Sequence, residues 1–169
     1  MFIKSWRSFA ASALAVPLLV GSGLAVYAGS SAAQTETAVV AAAVPSIGTV
    51  TLLAPSRIAD SRTGSSLVTL HALQSEDLQI AGRGGVPLKG AAGAFLNVTV
   101  VNPGASGYLT VWPFNQVKPN VSNVNFQSRQ TIANTVVVQL PINDGTVRIF
   151  NGSSGTVDVL VDVAGYVAA

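Results

Sequence analysis

The sequence predicts an all-β protein: a single antiparallel β-sandwich, jelly-roll or immunoglobulin-like, with about eight or nine strands behind an N-terminal signal helix. Three observations carry that expectation. First, the last stretch, Gly155–Val167, sets valines at 157, 159, 161 and 163, with Leu160 between Asp158 and Asp162 on the other face. That period of two is a long strand with one fully apolar face, which a second layer has to cover. Second, clusters of Gly, Pro, Asn, Asp and Ser punctuate the chain at the roughly 8–12-residue spacing of short strands in sandwiches. Third, the composition is 49% hydrophobic and 9% charged, rich in Val and Thr, and no segment after the leader has a convincing helical period. This suits a β-rich exported domain better than a cytosolic helical one.

The leader runs from Met1 to about Ala33. Lys4 and Arg7 make a positive start, Ala10–Val20 is apolar, and Ser31-Ala32-Ala33 offers a cleavage site before Gln34, with Val26-Tyr27-Ala28 as a second possibility. Phe9–Ala28 is also long enough for a membrane anchor. Pro17, Gly21, Ser22 and Gly23 interrupt it and favour cleavage, leaving no stable membrane span in the mature protein. The expected organisation is therefore a signal peptide at 1–33, a flexible lead-in at 34–48 and the sandwich at 49–169.

Within the sandwich, Thr49–Leu53 is a short β-rich run that Pro55 is expected to stop. A turn follows at Thr63–Ser66, then an irregular stretch with a strand near Ser75–Ile80, then the glycine-rich loop Gly82–Pro87. Ala94, Leu96, Val98 and Val100 alternate against Phe95, Asn97, Thr99 and Val101. The turn residues of Asn102–Gly107 predict that Tyr108–Trp112 runs back beside this strand as an antiparallel hairpin. Val121–Phe126 and Thr131–Leu140 are the next strands. Asn143-Asp144-Gly145 is a turn before Thr146–Phe150, and Asn151–Gly155 leads into the closing strand. Asn97-Val-Thr-Val-Val and Asn134-Thr-Val-Val-Val, each followed by a Pro/Gly turn and a later Phe-Asn, form a faint internal echo.

Charge excludes some functions. The formal net charge is +2, but Lys4 and Arg7 belong to the leader, and the seven bases after Gln34 balance seven acids. No basic cluster remains for nucleic acid or for an anionic membrane surface. With no cysteine, disulfides and thiolate metal sites are excluded.

Pro55-x-Arg57-x-x-Asp60-x-Arg62, Leu96-Asn-Val-Thr99, Gly107-Tyr-Leu-Thr-Val111 and Val161-Asp-Val-x-Gly-Tyr166 together resemble a β-rich module of secreted actinobacterial proteins. The resemblance covers residues 50–167. Ser61 stands where that module usually has Thr, and Val167 where it usually has Phe. It implies export and architecture; the module has no established activity.

The catalytic inventory is thin. His71 is the only histidine and lacks an acid at a telling spacing. Asp158 and Asp162, four apart on a strand, lie about 13 Å apart, beyond the reach of a glycosidase carboxylate pair. Each is expected to meet a nearby donor, with Asp162 pairing with Arg57 or Arg62 to close the first segment against the last. Asn143-Asp144-Gly145 has calcium-ligand types but too few carboxylates, so no metal or cofactor is expected. Tyr108, Trp112 and Phe114 are the candidate ligand-binding residues, because Tyr108 and Trp112 share a strand face that could stack on sugar rings if exposed. Core packing is the alternative. These readings favour a non-catalytic cell-surface or extracellular interaction module whose partner is a cell-wall polymer, a glycan or another surface protein. A self-assembling surface protein comes next, and a small hydrolase is disfavoured.

Overall fold

The computed structural model describes residues 48–169; the expected leader and all but the last residue of the lead-in lie outside the described residues. Eight strands follow one another: β1 (Val50–Asp60), β2 (Ser75–Gln79), β3 (Ala91–Val101), β4 (Gly107–Pro113), β5 (Val124–Phe126), β6 (Ile132–Gln139), β7 (Thr146–Asn151) and β8 (Asp158–Ala168), with one 3-10 turn at Ser61–Thr63 after β1. They form two four-stranded antiparallel sheets, ordered β1-β8-β3-β6 and β2-β7-β4-β5. Only the β4–β5 connection stays within a sheet; every other connection crosses from one sheet to the other. This strand order is a jelly roll, so of the two sandwich types left open by the sequence the jelly roll is the one formed.

Alternation places the core. β3 buries Ala94, Leu96, Val98 and Val100, and β8 buries Val159, Val161 and Val163 at 0% exposure; Leu78, Leu109, Val147 and Ile149 meet them from the other sheet. Taking such a side chain out of water contributes about 1.5–3 kcal/mol. β8 is flanked by β1 and β3, so the last strand of the sequence is a central strand of its sheet. Its phase changes once. Ala164 is an extra residue opposite the Phe95–Leu96 step, a bulge after which Gly165 faces outward and Tyr166 packs against the core.

Two local expectations are corrected. Pro55 does not stop β1. The register with β8 passes from Leu52–Gly165 to Ser56–Val163, leaving Leu53, Ala54 and Pro55 in an unpaired bulge on an edge strand, where the missing N–H costs no ladder bond. Nor do β3 and β4 make a hairpin. Both edges of β3 are taken, by β8 and β6, and the segment between β3 and β4 bonds elsewhere: Gly104 N–H to Thr156 O and Arg129 N–H to Pro103 O, each at 2.8 Å. The β6–β7 connection also crosses between the sheets. Gly145, at φ 71°, donates to Pro141 O at 2.8 Å and turns the chain into the second sheet. The strands that carry the two sequence echoes, β3 and β6, are neighbours in the first sheet, and β4 and β7, to which they lead, are neighbours in the second.

Candidate functional site

On the outer face of the first sheet, the motifs from the two ends of the chain meet. Arg57 and Asp162 are cross-strand partners, as are Asp162 and Asn97. Arg57 Nε and Nη2 donate to the two Asp162 carboxylate oxygens at 2.6 and 3.2 Å, and Arg57 Nη1 lies 3.9 Å from Asp60. Arg62 turns the other way: its Nε and Nη2 grip Asp60 at 2.9 and 2.8 Å, while Asp60 also accepts the Arg62 backbone N–H at 3.1 Å and so caps the 3-10 turn. Of the two arginines proposed for Asp162, Arg57 is the partner. The hydrogen bonds to carboxylate raise the pKa of Arg57 and of Arg62, and the Arg62 guanidinium holds Asp60 below the usual carboxylate range.

Asp158 has its own donors, Ser61 Oγ at 2.9 Å and Thr69 Oγ1 at 2.8 Å. The buried Ser61 hydroxyl also accepts the Val159 N–H at 2.8 Å. A hydroxyl is what position 61 requires, and Ser supplies it as Thr would. The β7–β8 corner has a similar clasp. Asn151, at 0% exposure, donates to the carbonyls of Leu70, His71 and Gly155 and accepts from the Ser153 N–H and Oγ. The Asn151-Gly-Ser triplet is a buried turn-former.

The outer face of the second sheet is built differently. Alternation along β4 turns Leu109 and Val111 inward and Tyr108, Thr110 and Trp112 outward. The segment 114–123 then folds back over that face. Trp112 Nε1 donates to Gln116 O at 3.0 Å, Thr110 Oγ1 to Val121 O at 2.6 Å, and Asn123 Oδ1 accepts the Val111 N–H at 2.7 Å. Trp112 is consequently only 5% exposed, and an open Tyr108–Trp112 stacking surface does not form. Phe114 is half-buried at the foot of the arch, its N–H on Thr146 O. The three aromatics named from sequence are thus separated: Trp112 under the arch, Phe114 at its base, Tyr108 beyond its far end.

Tyr108 remains half-buried beside an open depression of about 290 Å³ that it lines with Asn120, Val121, Ser122 and Asn125. Asn125 is its cross-strand partner on β5, and Asn125 Nδ2 donates to Ser122 Oγ at 3.1 Å. The ring lies flat across Gly152, whose missing side chain makes room for it: a Cβ there would sit 2.5 and 2.6 Å from Cε1 and Cε2. Phe150 meets Tyr108 at 6.2 Å with a 55° tilt, and Lys118 Nζ sits 4.7 Å from the centre of the Phe150 ring. Arg148, next along β7, grips Asp77 at 2.6 and 2.8 Å; that contact depresses the Asp77 pKa and raises that of Arg148.

Sequence reasoning missed Asn120, Ser122, Asn125 and Gly152 as parts of one place. The available signal was weak: an Asn- and Ser-rich run after a strand, and a glycine just beyond Phe150. His71 is exposed in a loop, and Asn143-Asp144-Gly145 forms the corner described above. Among the described residues, no group of three or more His, Cys, Asp or Glu side chains is placed to hold a metal ion. No protein-family model matches the chain, and neither do any curated protein or solved structure.

Proposed function

We propose that the protein is an exported, non-catalytic interaction module of the cell surface or extracellular space, which holds its ligand at Tyr108 on the outer face of the second sheet. The ligand class is a cell-wall polymer, a glycan or another surface protein. The observation that carries this reading is the Tyr108 depression: a phenol ring seated on Gly152, ringed by Asn120, Ser122 and Asn125, and mounted on strands with a pre-formed arch. A partly exposed aromatic with convergent amides and a hydroxyl is the chemistry of recognition, and rigid support lowers its entropic cost. The signal-like leader supports export.

The test is co-sedimentation of purified protein with insoluble cell wall. Retention is expected, with Tyr108→Ala weakening it roughly tenfold, the scale of losing one aromatic anchor. Equal retention of the variant would overturn the assignment of the site.

A second reading, self-assembly, has an observation of its own. On the outer face of the first sheet Leu52, Gly165, Phe95 and Val137 form one cross-strand row, with Leu52 81% and Val137 63% exposed. Such a face on a sheet with open edges favours association between copies. Sedimentation velocity decides it: a strict monomer across concentrations removes this reading.

A further inference from the structure

The Tyr108 site says more about its ligand than that it binds one. We infer that the depression takes one uncharged pyranose unit within a polysaccharide chain, a proposal that rests on the interaction-module reading and names its ligand.

The charge pattern comes first. The lining is Tyr108, Asn120, Val121, Ser122 and Asn125, which among them carry no carboxylate, ammonium or guanidinium group. Beyond the lining, Arg148 is held by both oxygens of Asp77 and Lys118 lies against the Phe150 ring, 4.7 Å from its centre. No lining group can form an ion pair with a carboxylate or phosphate inside the depression, so recognition there falls to amides, a hydroxyl and the phenol ring.

The polar groups are next. Amides and hydroxyls both donate and accept, as do the vicinal hydroxyls of a sugar ring. The Asn125–Ser122 bond fixes two of them, leaving the Asn125 carbonyl oxygen and the Ser122 hydroxyl hydrogen turned to other partners. Tyr108 supplies the complementary element. Its ring is flat and packs against Gly152, and the C–H face of a pyranose is the apolar surface that packs on such a ring.

Size sets the count. A volume of about 290 Å³ is at the lower end of the roughly 300–1,000 Å³ common for small-molecule sites, so it fits one ring rather than an oligomer. The depression is open to solvent, so a bound ring need not be the end of its chain.

Gly152 is a positioning residue in this account, because it sets where the phenol ring lies without touching the sugar. The experiment is an NMR titration of the purified protein with four probes: uncharged hexose oligomers, uncharged N-acetylhexosamine oligomers, a hexuronic acid polymer and a polyol phosphate. At least one uncharged probe is expected to shift the Tyr108, Asn120 and Asn125 resonances, with affinity unchanged at high salt. Tyr108→Ala and Gly152→Ala should each lower that affinity roughly tenfold, while Tyr108→Phe retains most of it. Thermal melting of each variant shows that the fold survives; Tyr108→Phe keeps the test valid should Gly152→Ala not fold. Binding confined to the charged polymers, or uncharged binding that survives both Tyr108→Ala and Gly152→Ala, overturns the inference. Failure of every uncharged probe while the wall is still retained overturns the sugar assignment alone; loss of wall retention as well overturns the interaction module with it.

Discussion

On the outer face of the first sheet, Arg57, Asp60, Arg62, Asp158 and Asp162 all have partners on a neighbouring strand or turn. On the outer face of the second sheet, Tyr108, Asn120, Ser122 and Asn125 gather beside solvent around an open depression. Both faces lie on the same jelly roll and both carry polar groups. The difference lies in where those groups direct their hydrogen bonds. In the first sheet they join β1 to β8 and tie the 3-10 turn to the start of β8, so the sequence motifs at the two ends of the domain are spent on closing it. In the second sheet the arch over Trp112 absorbs Thr110 and Asn123 and leaves the amides at its far end turned outward. The conspicuous charged motif holds the structure; the inconspicuous Asn- and Ser-containing segment is placed to bind.

That contrast can be broken from the structural side first. Asn151→Ala should have the largest effect, because it strips hydrogen bonds from three carbonyls and from the Ser153 N–H at the β7–β8 corner. Each buried group left unsatisfied costs about 1–3 kcal/mol, so urea unfolding should show a loss of about 3 kcal/mol or more. Ser61→Ala follows, at about 1–3 kcal/mol, since the Val159 N–H and one donor to Asp158 are lost. Ser61→Thr should restore most of it, which distinguishes the hydroxyl from the volume.

Asp162→Ala should cost less, about 1 kcal/mol. Its side chain is 21% exposed and that of Arg57 45%, which puts the pair near the solvent-exposed class and far from the 3–5 kcal/mol of a buried pair broken on one side. The loss should shrink at high salt as screening grows. The smallest effect belongs to Asp77 and Arg148. Asp77 has a depressed folded pKa, so its contribution is present above the ordinary aspartate pKa of about 3.9 and fades as pH falls through the lower folded value. An Arg148→Gln variant should therefore differ slightly from the parent in melting temperature at pH 6 and converge with it in strong acid. A difference that persists undiminished in strong acid would contradict the assignment.

How much of this the sequence disclosed follows from the range of each signal. The valine face of β8 is legible because a period of two needs no partner to be read; the need of Asp162 for a cationic partner is legible too, but only the register of β1 against β8 selects Arg57 over Arg62. The hairpin expected between β3 and β4 failed because Asn102–Gly107 turns the chain equally well within a sheet or between sheets; only the occupied edges of β3 decide. The stop expected at Pro55 fails because the tolerance of a proline depends on β1 being an edge strand, a property of the whole sheet. Alternation put Tyr108 and Trp112 on one face correctly, yet it carried no word of the aperiodic 114–123 arch that buries one and leaves the other at the rim.

The most direct test is a crossed comparison of Asp162→Ala and Tyr108→Ala, with melting temperature and wall retention measured on both. The account predicts that Asp162→Ala lowers the melting temperature and binds as the parent does, while Tyr108→Ala melts close to the parent and loses retention roughly tenfold. Equal retention by both variants, or loss of retention in Asp162→Ala without loss in Tyr108→Ala, would contradict it.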